Sequence, residues 1–339
     1  MRNLPIVQPP TPGTFQIDDR REVEPGPAAP PWAHQPTVEW QVVGQCNYDC
    51  SYCIQAKKHR VGIPSDDSLR ASLRFIANLP VDLATGQAWE VKTTGGEPFS
   101  FRGFLDLVVP GVMDSPHTMS TLTNLSVPPS TLTRFARLTF GRLQVVSASL
   151  HLEHTTAAAF LDRLEVLRDA VDNHTRIVVN CVLVPDASGS LSAVLDARAA
   201  VVARGFRFFP QLMKVKGGVL AYSTEQMKQV RAIVGDLVLA ASTRSANLAP
   251  AYTGKRCWAG ARYLVLTKEG DAFSCRTAKR FDEGFLGNVA TKIQLNSGPR
   301  ACPYPICPCT VPANRGMIEG VVPSSIVNGV NGVSDGDEE

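Results

Sequence analysis

The chain has 339 residues, 44% of them hydrophobic, so it can bury a sizeable core in one large domain with a smaller one or with extensions. Its formal net charge of +3 is too small to point to a nucleic-acid partner. No apolar run approaches the ~18 residues that a membrane span needs, and the N-terminus lacks the charged-then-apolar layout of a signal peptide, so the expectation is a soluble cytoplasmic protein that binds neither nucleic acid nor membrane.

Residues 1–36 are rich in proline and charge, as in PPTPG and EPGPAAPPW, and read as a flexible arm without a core of its own. Short apolar runs then alternate with helical patterns. The strand candidates are 38–43 (VEWQVV), 89–94 (WEVKTT), 118–124 (TMSTLTN), 143–150 (LQVVSASL), 176–184 (RIVVNCVLV) and 206–213 (FRFFPQLM). Between them, Leu69, Leu73 and Ile76 share one helical face behind cap candidates Ser65 to Asp67, and Phe160, Leu164, Leu167 and Val171 form an apolar stripe. Ser223 with Gln226 reads as a capping box. Strand–helix alternation implies parallel strands with right-handed crossovers. Six such units predict an α/β fold, a partial (β/α)6 barrel over residues 37–240, with functional residues at the C-terminal ends of its strands. Residues 241–320 form a small extension, and 321–339, low in complexity and ending GDEE, a disordered tail.

The nine cysteines need a reason in a reducing compartment, where dense cysteines point to metal rather than to disulfides. Cys46, Cys50 and Cys53 follow directly on the first strand. Three thiolates on one short loop can hold three irons of a cubane and leave the fourth iron open to a small molecule. A zinc site is the competing reading; it needs a fourth ligand, which His59 could supply. The later group is Cys257, Cys275, Cys302, Cys307 and Cys309, and Cys181 stands alone. Cys257 and Cys275 frame a hairpin in which YLVLT and AFSC are the strands and Gly270 serves the KEGD turn.

C-x3-C-x2-C with an aromatic residue, Tyr52, before its last cysteine resembles the signature loop of the radical S-adenosylmethionine (SAM) superfamily. Gly95-Gly96-Glu97-Pro98, at the end of the second strand, is similar to that family's GGEP motif. The resemblance spans about residues 38 to 215 and implies a [4Fe-4S] cluster on Cys46, Cys50 and Cys53. It implies that Tyr52 lies near the SAM adenine, that Gly95 to Pro98 hold the methionine amino group, and that Asn124 and Ser149 face the same site. Cys181, mid-strand, is a small core residue or a hydrogen-atom donor. The late cysteines, with Leu286-Gly287-Asn288-Val289, resemble SPASM and Twitch extensions and imply one auxiliary [4Fe-4S] cluster, of the Twitch form, with one cysteine to spare; a zinc knuckle in CPYPICPC is the alternative.

The family's chemistry is hydrogen abstraction by a 5′-deoxyadenosyl radical, fed by an external electron donor such as flavodoxin or ferredoxin. Only about 36 residues precede the first strand, too few for a peptide-recognition domain of the usual size. The expected substrate is therefore a sugar, aminoglycoside or nucleotide in natural-product (antibiotic) biosynthesis, oxidised or epimerised. A peptide (RiPP) maturase and sulfur insertion from the auxiliary cluster are the alternatives. Two basic clusters, Lys57-Lys58-His59-Arg60 and Lys214-Val215-Lys216, are solvated charge or phosphate-binding groups.

Overall fold

The computed structural model describes residues 35–55, 60–82, 86–185, 190–215, 218–234, 251–305, 307 and 310–321. Cys309, Lys57, Lys58, His59 and Lys216, and nearly all of the N-terminal arm and C-terminal tail, lie outside the described residues.

Strands β1 (Thr37–Val43), β2 (Glu90–Gly95), β3 (Thr118–Thr123), β4 (Leu143–Leu150), β5 (Arg176–Leu183) and β6 (Arg207–Leu212) lie side by side in chain order, each parallel to the next. Helices α1 (Asp66–Ala77), α2 (Val109–Met113), α3 (Pro129–Leu138), α4 (Ala157–Ala170) and α5 (Ser190–Ala203) fill the crossovers, and α6 (Thr224–Val234) follows β6. All six predicted strands are present, with ends shifted by at most one residue. The result is a mixed α/β fold built on a large, mostly parallel sheet.

Local chemistry sets the helix starts. The Ser65 side chain accepts from Ser68 N at 3.2 Å and opens α1. Ser223 and Gln226 exchange bonds, Ser223 N to Gln226 Oε1 at 2.8 Å and Gln226 N to Ser223 Oγ at 3.2 Å, the reciprocal capping box before α6. In α4, Phe160, Leu164 and Leu167 are buried as the stripe requires.

Alternation along the strands gives the sheet two unlike faces. Val38, Trp40 and Val42 of β1, Val91 of β2, and Val179 and Cys181 of β5 join the main core with the helices. The other face carries Glu39 and Gln41, Lys92, Ser147, Asn180 and Gln211, and so needs polar partners. The C-terminal segment supplies several of them. After β7 (Lys214–Val215) and β8 (Gly218–Val219), a two-stranded ribbon, and β9 (Arg256–Cys257), strand β10 (Tyr263–Leu266) pairs in parallel with β1, Tyr263 opposite Thr37. The predicted hairpin is β10 with β11 (Asp271–Phe273), turning at Gly270 with φ +84°. Strands β12 (Phe285–Asn288) and β13 (Lys292–Ile293) continue the sheet, while β14 (Arg300–Ala301) pairs with β9. The extension is thus an edge of the main sheet, a long-range pairing that no local pattern announces.

Behind this edge, Arg315 is 5% exposed and forms an ion pair with Glu90, which is 2% exposed. Its other guanidinium nitrogen donates to Gln35 Oε1 at 3.3 Å, and Ser120 Oγ donates to Glu90. Burial alone would raise the Glu90 carboxyl; the guanidinium and the Ser120 hydroxyl hold it below its ordinary value instead. Arg315→Met, which strands a buried carboxylate, is expected to cost about 3–5 kcal/mol in urea unfolding followed by circular dichroism, and the double variant with Glu90→Gln should recover part of that loss.

Candidate active site

The cysteine loop leaves the end of β1 and turns tightly, with Cys53 N donating to Cys50 O at 3.2 Å. Arg60 clamps it from below. The guanidinium donates to Gln55 O at 2.8 Å, Cys53 O at 3.1 Å and Cys50 O at 3.4 Å, and pairs with Asp49 at 2.8 Å. One planar five-donor group thereby gathers carbonyls that otherwise diverge. The eight described cysteines form no disulfide with one another. Burial raises Cys46 and pushes Cys50 up to about 11, with the other loop thiols adding to both shifts. Crowded, desolvated soft donors of this kind are a poor resting place for bare thiolates and a good one for a cluster that neutralises them. The donor set fits a [4Fe-4S] group.

The Gly-Gly-Glu turn at the end of β2 packs backbone to backbone on this loop. Gly96 N donates to Val43 O at 2.8 Å, and Glu97 N donates to Gln45 O at 3.0 Å. A Cβ on Gly95, at φ +131°, would overlap the Val43 carbonyl oxygen, and one on Gly96 would overlap that of Gln45. Both glycines are therefore required by the approach of the cysteine loop itself. Gln55 Nε2 donates to Gly95 O at 2.6 Å from the far side of the loop.

Glu97 is 2% exposed. Its Oε1 accepts from Thr123 Oγ1 at 2.9 Å and Phe99 N at 3.1 Å, and its Oε2 accepts from Asn124 N at 2.7 Å. The carboxyl thus ties β2 to the end of β3. Pro98 is buried and opens a short 3-10 turn. Asn124, 3% exposed, donates to Asn47 Oδ1 at 3.0 Å and accepts from Ser126 N, while Asn47 Nδ2 donates to Ser126 Oγ at 2.7 Å. This ring of amides fixes the cysteine loop to β3 and holds the next residue, Leu125, at φ +53°.

The segment after β4 contributes groups that the sequence reading did not single out. His151 Nδ1 lies 2.7 Å from Tyr52 Oη and 3.5 Å from Cys50 Sγ. Glu153 accepts from Ser51 N at 2.9 Å and from the Ser51 hydroxyl. The His154 ring stacks on Tyr48 with centroids 4.4 Å apart. The signal was in SASLHLEH, two histidines and a glutamate directly after a strand. Ligand atoms of Cys50, Glu153 and His154 fall within 4.8 Å of one another, but Ser51 and Tyr48 engage the latter two. Ser149 lines a small polar space of about 80 Å3 with Ser147, His151, Asn180 and Gln211.

Cys181 is 3% exposed in the main core, on the face of β5 opposite Asn180 and Val182, and burial pushes its thiol up to about 12. The structure thus places it among core side chains, away from the polar space.

The late cysteines converge. Cys257, Cys275, Cys302 and Cys307 all line one cavity of about 560 Å3, with Tyr252, Phe285 and Ile318 among its walls. Cys257 sits on β9, Cys302 follows β14, and Cys275 caps the short helix Arg276–Arg280, its Sγ accepting from Ala278 N at 3.3 Å. Four thiols around one space fit a second [4Fe-4S] group.

No family model matches the chain, and no curated protein matches it. Among solved structures it is similar to native anSMEcpe, which was solved with bound AdoMet and the Kp18Cys peptide: the TM-score is 0.51 over 76% of this chain and 79% of that one, at 13% identity. The chain shares its fold with anSMEcpe. Among the described residues no helix is long and apolar enough to cross a membrane.

Burial raises the Glu97 carboxyl from 4.5 to about 7, against the pull of its three hydrogen bonds. A carboxyl whose folded pKa is raised contributes stability that is complete below its unfolded pKa and is lost as pH rises through the folded one. The stability of the protein relative to Glu97→Gln is therefore expected to fall between about pH 4.5 and pH 7 and to level off above, as read from urea midpoints across that range.

Proposed function

We propose that the chain is a radical SAM enzyme that modifies a peptide. The observation that carries this reading is the docking of Gly95-Gly96-Glu97 on the Cys46-to-Cys53 loop, with backbone bonds of 2.8 and 3.0 Å joining them. It makes the ligands of a cluster and the anchor of an amino-acid group immediate neighbours.

Cys46, Cys50 and Cys53 hold the cluster. The Gly95 and Gly96 backbone and the Glu97 carboxylate receive the SAM ammonium. In this reading Tyr52 sits by the adenine, and Asn124 and Ser149 face the same bound SAM. A reduced cluster with SAM bound there would supply hydrogen-atom abstraction from substrate by way of a 5′-deoxyadenosyl radical. The chain's part is to hold the donor carbon close and to exclude water. Cys257, Cys275, Cys302 and Cys307, with Cys309 as a further candidate, hold the second cluster, which an oxidative outcome would use as acceptor for the second electron.

One observation favours a peptide over a sugar or nucleotide. The fold relative was solved with AdoMet and a peptide, and the likeness covers 76% of this chain. This displaces the small-molecule preference drawn from the short stretch before β1.

The expected iron content after anaerobic reconstitution is about eight per chain, four for each cubane, and replacing Cys46, Cys50 and Cys53 together by alanine should halve it. A triple variant that keeps all its iron would remove the cluster from this loop. Deuterium from a labelled peptide should appear in 5′-deoxyadenosine, whereas transfer only from labelled sugars or nucleotides would restore the small-molecule reading.

A further inference from the structure

We propose that His151 is a positioning residue for the cluster: its Nδ1–H donates to the Cys50 sulfur and sets both the potential and the retention of the iron that Cys50 holds. The proposal rests on the reading of Cys50 as a cluster ligand.

The geometry comes first. His151 follows β4 immediately, and its Nδ1 lies 3.5 Å from Cys50 Sγ and 2.7 Å from Tyr52 Oη. The ring cannot swing freely. It lies nearly parallel to the Tyr52 ring, 5.8 Å away at 22°, and edge-on to Tyr48, 5.9 Å away at 84°. Tyr48 is itself covered by His154. Glu153 holds the loop against the same segment through Ser51. His151, Glu153 and His154 thus grip the loop between its first and last cysteines.

Chemistry then selects the tautomer. A metal-bound thiolate can only accept, so a nitrogen beside it must carry the proton. In the free-thiol state the Tyr52 hydroxyl can donate to Nδ1. With iron on Cys50, the proton belongs on Nδ1, which donates to the sulfur and, in a forked bond, to the Tyr52 oxygen. The Tyr52 hydroxyl, itself within hydrogen-bond reach of Cys50, can donate its own hydrogen to the same sulfur. Cys46 has a comparable donor in Tyr48 N, 3.4 Å from its sulfur. Donors to cluster sulfurs stabilise the more negative, reduced state and raise the potential, and groups that orient metal ligands commonly matter 10- to 100-fold in affinity or activity.

The test uses the full-length, anaerobically reconstituted protein with both clusters. The loop cluster is followed by electron paramagnetic resonance, recognised by its response to added SAM, in a potentiometric titration. His151→Phe keeps the ring and loses the donor; His151→Asn places an amide N–H close to the position of Nδ1. The expected result is a more negative midpoint for His151→Phe, about ten-fold or faster loss of iron to a chelator, and recovery of both in His151→Asn. A wild-type midpoint in His151→Phe overturns the proposal. So does an equal shift in both variants, which would make the ring's packing, not its donor, the cause. If His151→Phe fails to load, His151→Asn alone decides: a wild-type midpoint supports the hydrogen bond, and a lowered one overturns it. Loss of the loop cluster's assignment itself would show separately, as full iron content in the triple cysteine variant.

Discussion

The contact on which the site depends is between two pieces of backbone. The turn after β2 lies so close to the turn after β1 that neither Gly95 nor Gly96 has room for a Cβ, and the N–H groups of Gly96 and Glu97 donate to the Val43 and Gln45 carbonyls to join the two turns. Side chains could not do this with the same precision, because each would add rotatable bonds and a volume to be accommodated. The register of β1 and β2 shifts between Gln41 and Val43, where the strands begin to serve the loop instead of the ladder. From there Glu97 carries the connection to β3 through Thr123 and Asn124, and Asn124 returns it to Asn47 inside the cysteine loop. Three strand ends and one loop form a closed circuit of hydrogen bonds.

A polar sheet face imposes the second constraint. Glu39 is 1% exposed, and such a carboxylate is tolerable only if it is paired. Tyr263 Oη donates to it at 2.9 Å and Arg276 forms an ion pair with it; Lys279 reaches Gln41 two residues on. All three partners come from the C-terminal extension. Below them Arg315 does the same for Glu90. The extension therefore completes the interior of the parallel sheet, and its pairing with β1 is matched by side-chain chemistry one layer in.

How far this could be read in advance depended on the range of each interaction. Strands β1 to β6, the caps at Ser65 and Ser223, and the turn at Gly270 rest on neighbours a few residues apart, and the sequence pattern shows them directly. The cysteine and glycine motifs were visible because the site packs both into consecutive residues. Cys181 was harder to place: RIVVNCVLV is apolar on both sides of Asn180, so alternation does not say which face the thiol takes until Asn180 is seen bonded to Ser147. His151 and Glu153 act across about a hundred residues of chain, and only the folding of β4 beside the loop gives them meaning. The parallel pairing of β10 with β1 spans more than two hundred residues and has no local signature at all.

The two cysteine groups are mechanically linked through the helix that follows Cys275. Cys275 caps that helix with its sulfur, the next residue is Arg276, and Lys279 lies one turn further on the same short element. Arg276 and Lys279 are fixed to Glu39 and Gln41 on β1, and β1 runs directly into Cys46. One rigid strand therefore carries the Cys46-to-Cys53 loop at its end and, at its middle, the anchor for the helix that Cys275 caps. The anchoring contacts are made by side chains other than the thiol, so the fold itself holds Cys275 in its place. Such preorganisation lowers the ordering cost of any ligand that the late cysteines take. The earlier site is arranged likewise, since Arg60 gathers the loop carbonyls without touching a sulfur. At both groups cationic side chains shape a cysteine-bearing segment through contacts with carbonyl, carboxylate and amide oxygens.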